Sequence, residues 1–215
     1  MKTGWELYVI TDRGLAGGRP VGEVVRQALE GGAEVIQLRE KTLPTGKMVE
    51  LAAALKELTQ AYGARVIVND RLDVALAVDA DGVHLGQEDM PARIARRLLG
   101  PEKLLGVSVS SVEEALRAVE DGADYVGAGA VFPTATKGEA GVIGIEGLRA
   151  IAAAVDLPVV AIGGIDRAKA AEVIAAGAAG VAVVSAVMAA PDPKEAAREI
   201  LSTVVQAARA RAGRT

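Results

Sequence analysis

One pattern recurs along the chain: a short apolar run, a turn toward polar residues, an amphipathic helical stretch, then often a glycine-alanine stop. Leu7–Thr11, Val35–Glu40, Val66–Asp70, Gly82–Leu85, Leu104–Val109, Tyr125–Val131, Val159–Gly163 and Gly180–Ser185 are predicted strands. Several are almost unbroken in Val, Ile, Leu and Ala, as expected of parallel strands covered on both faces. Helical periodicity marks Val21–Glu30, Thr45–Ala61, Leu72–Val78, Pro91–Leu99, Val112–Glu120, Ile145–Val155, Arg167–Ala176 and Pro193–Ala210. Ser110 or Ser111 is suited to cap the fifth helix, with Glu113 and Glu114 in its first turn, and Asp166 the seventh. Gly31-Gly32-Ala33, Gly122-Ala123 and Gly177-Ala178 each stop a helix ahead of a strand. Eight strand–helix units in 215 residues predict an α/β chain folded as one (β/α)8 (TIM) barrel domain over residues 1–215. The alternative is a doubly wound open sheet, which would use fewer strands, and no G-x-G-x-x-G follows the first strand.

Composition narrows the function classes. Cysteine is absent, which excludes disulfides, thiolate metal sites and cysteine nucleophiles and suits a reducing cytoplasm. No apolar run approaches the ~20 residues of a membrane span, and no targeting leader is expected ahead of Trp5. A net charge of -4, a pI near 5.2 and the lack of a basic stripe argue against nucleic acid as a partner. An anionic substrate remains compatible, because a few cations or a bound metal reverse the field inside one cleft.

In such a barrel the functional side chains belong at the C-terminal ends of the strands and in the loops that follow. On strand two, Val35, Gln37, Arg39 and Lys41 share one face, which passes from apolar to cationic within a few residues. Strand three ends in Asn69-Asp70-Arg71 and strand four in His84-Leu85-Gly86-Gln87-Glu88-Asp89. Taken singly, Asn69 and Asp70 read as a turn and cap, and Asp89 as a loop acid. Together, on neighbouring strands, the two aspartates would come near each other, and two carboxylates with water and substrate phosphate oxygens are how Mg2+ is typically held.

Strand five runs Gly106-Val107-Ser108-Val109-Ser110-Ser111, where Ser108 reads as a hydroxyl donor to a bound substrate. Serine nucleophilic catalysis is excluded: there is no G-x-S-x-G elbow, and the one histidine, His84, reads as a satisfied interior residue of its strand. The segment after strand six, through Pro133-Thr134-Ala135-Thr136-Lys137 to about Gly144, is the longest irregular stretch and has the length of a lid. Its two threonines and lysine are phosphate donors. Gly163-Gly164 after strand seven and Val184-Ser185 after strand eight stand where barrels present backbone amides to phosphate. Two phosphate-handling regions without a candidate base point to charge stabilisation rather than proton transfer, as in displacement of a diphosphate.

The ordered set Gln37-Leu38-Arg39-Glu40-Lys41, Asn69-Asp70-Arg71, His84 to Asp89, Pro133 to Lys137 and Ile162-Gly163-Gly164-Ile165 resembles the thiamine-phosphate synthase family. The likeness runs from Tyr8-Val9-Ile10-Thr11-Asp12 to the last strand. It implies a (β/α)8 barrel that joins 4-amino-2-methyl-5-(diphosphooxymethyl)pyrimidine to 4-methyl-5-(2-phosphooxyethyl)thiazole, giving thiamine phosphate and diphosphate. It also implies that Gln37, Leu38, Arg39, Glu40, Lys41 and Asn69 bind the pyrimidine diphosphate, and that Asp70 and Asp89 hold Mg2+. Ser108 and Lys137 would contact the same substrate, with Lys41, Asn69, Ser108 and Lys137 serving the reaction itself. Thr134, Ala135 through its backbone, Thr136, Gly164, Val184 and Ser185 would contact the thiazole phosphate. The family's dissociative mechanism has the diphosphate leave first and the thiazole nitrogen attack the resulting cation, which needs no general base.

Two positions depart from the family pattern: Ser110 stands where histidine is frequent, and Ala130 where proline is common. A thiazole tautomerase-like relative, a sugar-phosphate epimerase and a non-catalytic phosphate-binding barrel are the competing readings. The first two need acid-base groups that this chain scarcely has, and neither uses the strand-two cations. The expected partners are the two small-molecule substrates, with no nucleic acid and no membrane. Self-association is expected because barrel helices often leave an apolar face over.

Overall fold

The computed structural model describes residues 4–134 and 141–213. Eight strands are hydrogen-bonded in sequence order, every pair is parallel, and β8 returns to β1, so the sheet closes into a barrel. The strands are β1 (Leu7–Ile10), β2 (Val35–Leu38), β3 (Arg65–Asn69), β4 (Gly82–Leu85), β5 (Leu104–Val109), β6 (Tyr125–Ala128), β7 (Val159–Ile162) and β8 (Gly180–Val183). Seven helices connect them: α1 (Val21–Glu30), α2 (Thr45–Ala61), α3 (Leu72–Ala77), α4 (Ala92–Leu99), α5 (Val112–Glu120), α6 (Gly144–Ala154) and α7 (Arg167–Ala175). After β8 come a short helix, α8 (Ser185–Met188), and the long α9 (Pro193–Ala212), which packs on both α7 and α1 and closes the outer ring.

Local signals account for the helix boundaries. Ser111 caps α5 by accepting the Glu114 N–H at 3.1 Å, while Glu114 reaches back to the Ser110 N–H at 2.6 Å. The first bond satisfies a donor that a helix start leaves open, and the second ties the residue before the cap to the first turn. Asp166 caps α7 through the Lys169 N–H at 3.1 Å, and Asp192 caps α9 through the Glu195 N–H at 2.9 Å. Helices α1, α5 and α7 stop just ahead of their predicted glycine-alanine signals.

Alternation of side chains separates two cores. Residues such as Leu7, Val9, Ile36, Val66, Val83 and Val181 point outward and pack beneath the helices. Tyr8, Val35, Ile67, Tyr125, Val160 and Ala182 fill the barrel interior, with Trp5 stacked under Tyr125 at 4.4 Å between ring centroids. Most predicted strands overran their observed ends at the C-terminal side, because there the backbone leaves the ladder to make loops. Asp70, for example, has φ 63°, outside any strand. Ser185, predicted as a strand residue, instead opens α8.

Candidate active site

The strand ends bring polar groups to one mouth of the barrel. On β2, Gln37 is buried against the interior, Arg39 is half-buried and Lys41 is exposed, so the predicted gradient from core to cation is present. The neighbouring β1 fixes this end: buried Thr11 accepts the Arg39 N–H at 3.0 Å, and its own N–H donates to the Gln37 carbonyl at 2.9 Å. Glu40 turns inward, its side chain only 5% exposed, with one oxygen 3.6 Å from Arg13 Nη2. Its other oxygen, Oε1, is buried without a hydrogen-bond partner among the described residues. Leu38, on the opposite face, belongs to the outer core. Arg13 was not singled out from sequence; its place after β1, opposite an acid, was the available signal.

At β3 and β4, the Asp70 N–H donates to the His84 carbonyl at 2.9 Å, which ties the two strand ends together. The left-handed turn at Asp70 aims its carboxyl at Asp89, whose Oδ2 also accepts the Gly86 N–H at 2.7 Å. Partial burial, reinforced by the Asp89 carboxyl, pushes the Asp70 carboxyl up to about 6, although Arg39 and Lys41 pull it down. The structure therefore brings the cations of β2 and the acids of β3 and β4 into one field. Two carboxyls forced together in this way fit a divalent cation, which removes their repulsion. Among the described residues no third acid, histidine or cysteine joins them, so substrate and water oxygens would complete the coordination. Asn69 ends β3 beside this pair, on the half-exposed rim, while Arg71 is drawn to Asp73 at 2.5 Å on the outer surface.

On the other side of the mouth, the loop after β6 lies along the loop after β7. Val131 donates to the Ile162 carbonyl at 2.8 Å and Phe132 to the Gly163 carbonyl at 3.1 Å. Gly163 and Gly164 both have positive φ, and a Cβ at Gly164 would lie 2.8 Å from the Pro133 carbonyl, so only glycine permits this approach. Lys169 braces the turn by donating to the Gly164 carbonyl at 2.8 Å. Thr134 follows directly; Ala135, Thr136 and Lys137 lie outside the described residues. Val184 leads into α8, so the N–H groups of Ser185 and its neighbours open at the end of β8. A short helix start after strands seven and eight is the usual phosphate seat of such barrels.

Between the two sides, five interior side chains are joined end to end. The Gln37 amide nitrogen donates to the Tyr8 hydroxyl at 2.8 Å, and the Tyr8 and Tyr125 hydroxyls are 2.9 Å apart. The Tyr125 hydroxyl is 3.0 Å from His84 Nδ1, and His84 Nε2 is 2.9 Å from Ser108 Oγ. Burial holds the imidazole neutral by lowering its pKa to about 4 and pushes both phenols well up. His84 is thus a satisfied interior residue, as its sequence setting predicted. The tyrosines were not foreseen as part of the site. Their inward register with Gln37 and Ser108 was the signal, and it needs the strand pairing to be read. Ser110, by contrast, is exposed and engaged with Glu114 through both its N–H and its hydroxyl.

A closed parallel barrel whose chemistry gathers at the C-terminal mouth, with facing charge and amide regions, defines a (β/α)8-barrel enzyme acting on small molecules. The family model described as thiamine monophosphate synthase matches residues 7–187. The chain is 59% identical to the thiamine-phosphate synthase of Moorella thermoacetica over 94% of its own length and 97% of that protein. It is 57% identical to that of Chloroflexus aurantiacus, covering 93% of each. The solved thiamine phosphate pyrophosphorylase of Pyrococcus furiosus superposes with a TM-score of 0.89 at 52% identity, over 96% of this chain and 98% of that one. The chain belongs to the thiamine monophosphate synthase family.

Proposed function

We propose that this protein, as one catalytic barrel domain, condenses 4-amino-2-methyl-5-(diphosphooxymethyl)pyrimidine with 4-methyl-5-(2-phosphooxyethyl)thiazole to give thiamine phosphate and diphosphate. The observation that carries this reading is the common field of Arg39, Lys41, Asp70 and Asp89 at the mouth. With a divalent cation held by the two acids, it would suit a leaving group with several negative charges better than a single phosphate.

In this reading Gln37, Arg39, Glu40, Lys41, Asn69 and Ser108 hold the pyrimidine diphosphate, and Lys137 also contacts the diphosphate; Leu38, its side chain in the outer core, would take part only through its backbone. Asp70 and Asp89 would hold Mg2+, which supplies charge neutralisation to the diphosphate when bound. The bond from the pyrimidine methylene carbon to the diphosphate oxygen breaks, and its electron pair leaves with the diphosphate. Arg39 and Lys41 stabilise the charge that grows on that oxygen. The amino group and ring delocalise the cation left on the methylene. Thr134, Ala135, Thr136, Gly164, Val184 and Ser185 hold the thiazole phosphate so that the ring nitrogen faces that carbon. Its lone pair forms the new C–N bond. No proton moves, in keeping with a site whose histidine is buried and committed.

Five large apolar side chains on α3, α4 and α5 (Leu76, Ile94, Leu98, Leu116 and Val119) are 41% to 54% exposed, which supports a second copy of the chain as the partner of this face. Among the described residues no helix is long and apolar enough to cross a membrane. The cysteine-free composition suits a reducing cytoplasm.

The direct test mixes purified protein with both substrates and Mg2+, with and without EDTA, and reads thiamine phosphate as fluorescent thiochrome after oxidation. Metal-dependent product is expected. Absence of product from folded protein and intact substrates would overturn the reading.

A further inference from the structure

The five joined side chains span the barrel from the end of β2 to the end of β5, and both outer members border the site. Tyr8, Tyr125 and His84 have no place in the chemistry above, yet a closed barrel interior is where a polar group is costliest to leave unpaired. The strands were shaped to admit them. A Cβ at Gly106 would lie 2.1 Å from the Tyr125 ring and 2.5 Å from His84 Nδ1, and one at Gly127 would lie 3.0 Å from the His84 ring.

Hydrogen-bond direction can be followed link by link. Tyr8 accepts a hydrogen bond from the Gln37 amide and has its own hydroxyl proton to donate, and Tyr125 is its other partner. Tyr125 then donates a hydrogen bond to His84 Nδ1, which must be bare to accept it, so the neutral imidazole carries its proton on Nε2 and donates a hydrogen bond to Ser108 Oγ. The reverse direction would need the Gln37 amide rotated and His84 donating to a phenol. A phenol is the stronger acid and imidazole the stronger base, so the proton is better placed running from Tyr125 to His84.

We propose that this chain is a polarity lock: it fixes His84 as the Nε2-protonated tautomer and thereby presets Ser108 as a proton donor and the Gln37 carbonyl oxygen as an acceptor toward the ligand. A site preset in this way takes a heterocycle that offers an N–H group beside Gln37 and an acceptor atom beside Ser108. It selects a 4-amino pyrimidine over its 4-oxo counterpart, in which the exocyclic donor has become an acceptor. This specificity rests on the pyrimidine reading above; the lock itself does not. Tyr8, Tyr125 and His84 are positioning residues, since each acts through Gln37 or Ser108.

The chain has one histidine, so protein labelled with 15N-histidine gives a single imidazole. A long-range 1H–15N correlation on ligand-free protein at neutral pH is expected to show a protonated Nε2 and a bare Nδ1. In Tyr125→Phe, which removes the donor to Nδ1, the two tautomers are expected to mix. A protonated Nδ1 in the wild type, or an unchanged pattern in Tyr125→Phe, would overturn the lock. Its consequence is read by comparing kcat/KM for the 4-amino and 4-oxo pyrimidine diphosphates in wild type and Tyr8→Phe. Loss of Tyr8 frees the Gln37 amide to rotate, so discrimination is expected to fall tenfold or more, through KM rather than kcat. Undiminished discrimination overturns the specificity claim. Turnover of neither pyrimidine by the wild type would fail the functional reading and this specificity with it, while the tautomer measurement would still decide the lock.

Discussion

Gly106→Ala tests the packing of the barrel interior with one methyl group. The added carbon would sit 2.1 Å from Tyr125 Cζ, 2.4 Å from its hydroxyl oxygen and 2.5 Å from His84 Nδ1. Ordinary carbon contacts lie at about 3.5–4.0 Å, so both rings must withdraw, each by about 1 Å or more. Neither has an easy way out. Tyr125 is fully buried and stacked on Trp5, and His84 is held at both nitrogens. Moving Tyr125 breaks its bonds to Tyr8 and His84 at 2.9 and 3.0 Å. Overpacking costs about 1–3 kcal/mol, and two buried bonds lost with their partners stranded add about 2–4 kcal/mol. Restricting the unfolded chain returns only about 0.4–1 kcal/mol. The expected net loss is about 2–7 kcal/mol, a large share of the ~5–15 kcal/mol that holds a typical domain together. A urea melt followed by fluorescence reads it well, because the single tryptophan, Trp5, stacks on the ring that must move. Gly46→Ala, in the first turn of α2 with nothing within 4 Å of the new carbon, is the control and should be neutral or slightly stabilising. A Gly106→Ala protein within about 1 kcal/mol of wild type, the smallest cost assigned to overpacking alone, would refute the reasoning.

Three further outcomes follow from the same geometry. Asp70, pushed up to about 6 by partial burial and Asp89, binds its proton more tightly folded than unfolded. Its contribution to stability is therefore largest below about pH 4 and is lost as pH rises through about 6. In EDTA, Asp70→Asn should be more stable than wild type at pH 7.5 by about 1 kcal/mol, the full shift being discounted because the group is about half exposed, and the gain should vanish near pH 4. Thermal melts at the two pH values check this. In the same variant, Mg2+ should no longer raise the melting temperature, and equal protection of both proteins by the metal would remove Asp70 from the metal site. At the opposite end of the barrel, Arg96 donates to the Gly100, Lys103 and Gly122 carbonyls at 2.7–2.9 Å and meets Asp124 at 2.5 Å. Arg96→Met should cost about 2–3 kcal/mol in a denaturant melt while leaving KM for both substrates near wild type.

Much of this molecule can be read from the chain because periodicity is a local property. Apolar runs of strand length, helical spacing and glycine-alanine stops fixed the eight repeats, and Val21–Glu30, Thr45–Ala61, Gly82–Leu85, Leu104–Val109 and Val112–Glu120 match their observed bounds. The strand ends were less legible. Whether Arg39, Asp70 or Ser185 continues a strand depends on whether a neighbouring strand still supplies hydrogen bonds there, and that is a property of the closed sheet. The short α8 was missed for the same reason: a four-residue helix has no period of its own.

The candidate site divides along the same line. That Gln37, Asp70, Asp89, Ser108 and Gly164 lie at strand ends followed from sequence. The pairing of Asp70 with Asp89 and a serine at the start of α5 were also expected; tertiary structure alone decided that Glu40 turns inward against Arg13. It also set Tyr8 against Tyr125, 117 residues away. Side-chain type and spacing are written in the chain. Which hydroxyl meets which ring is set by the barrel's register and closure, where every buried polar atom must find its partner among residues the sequence holds far apart.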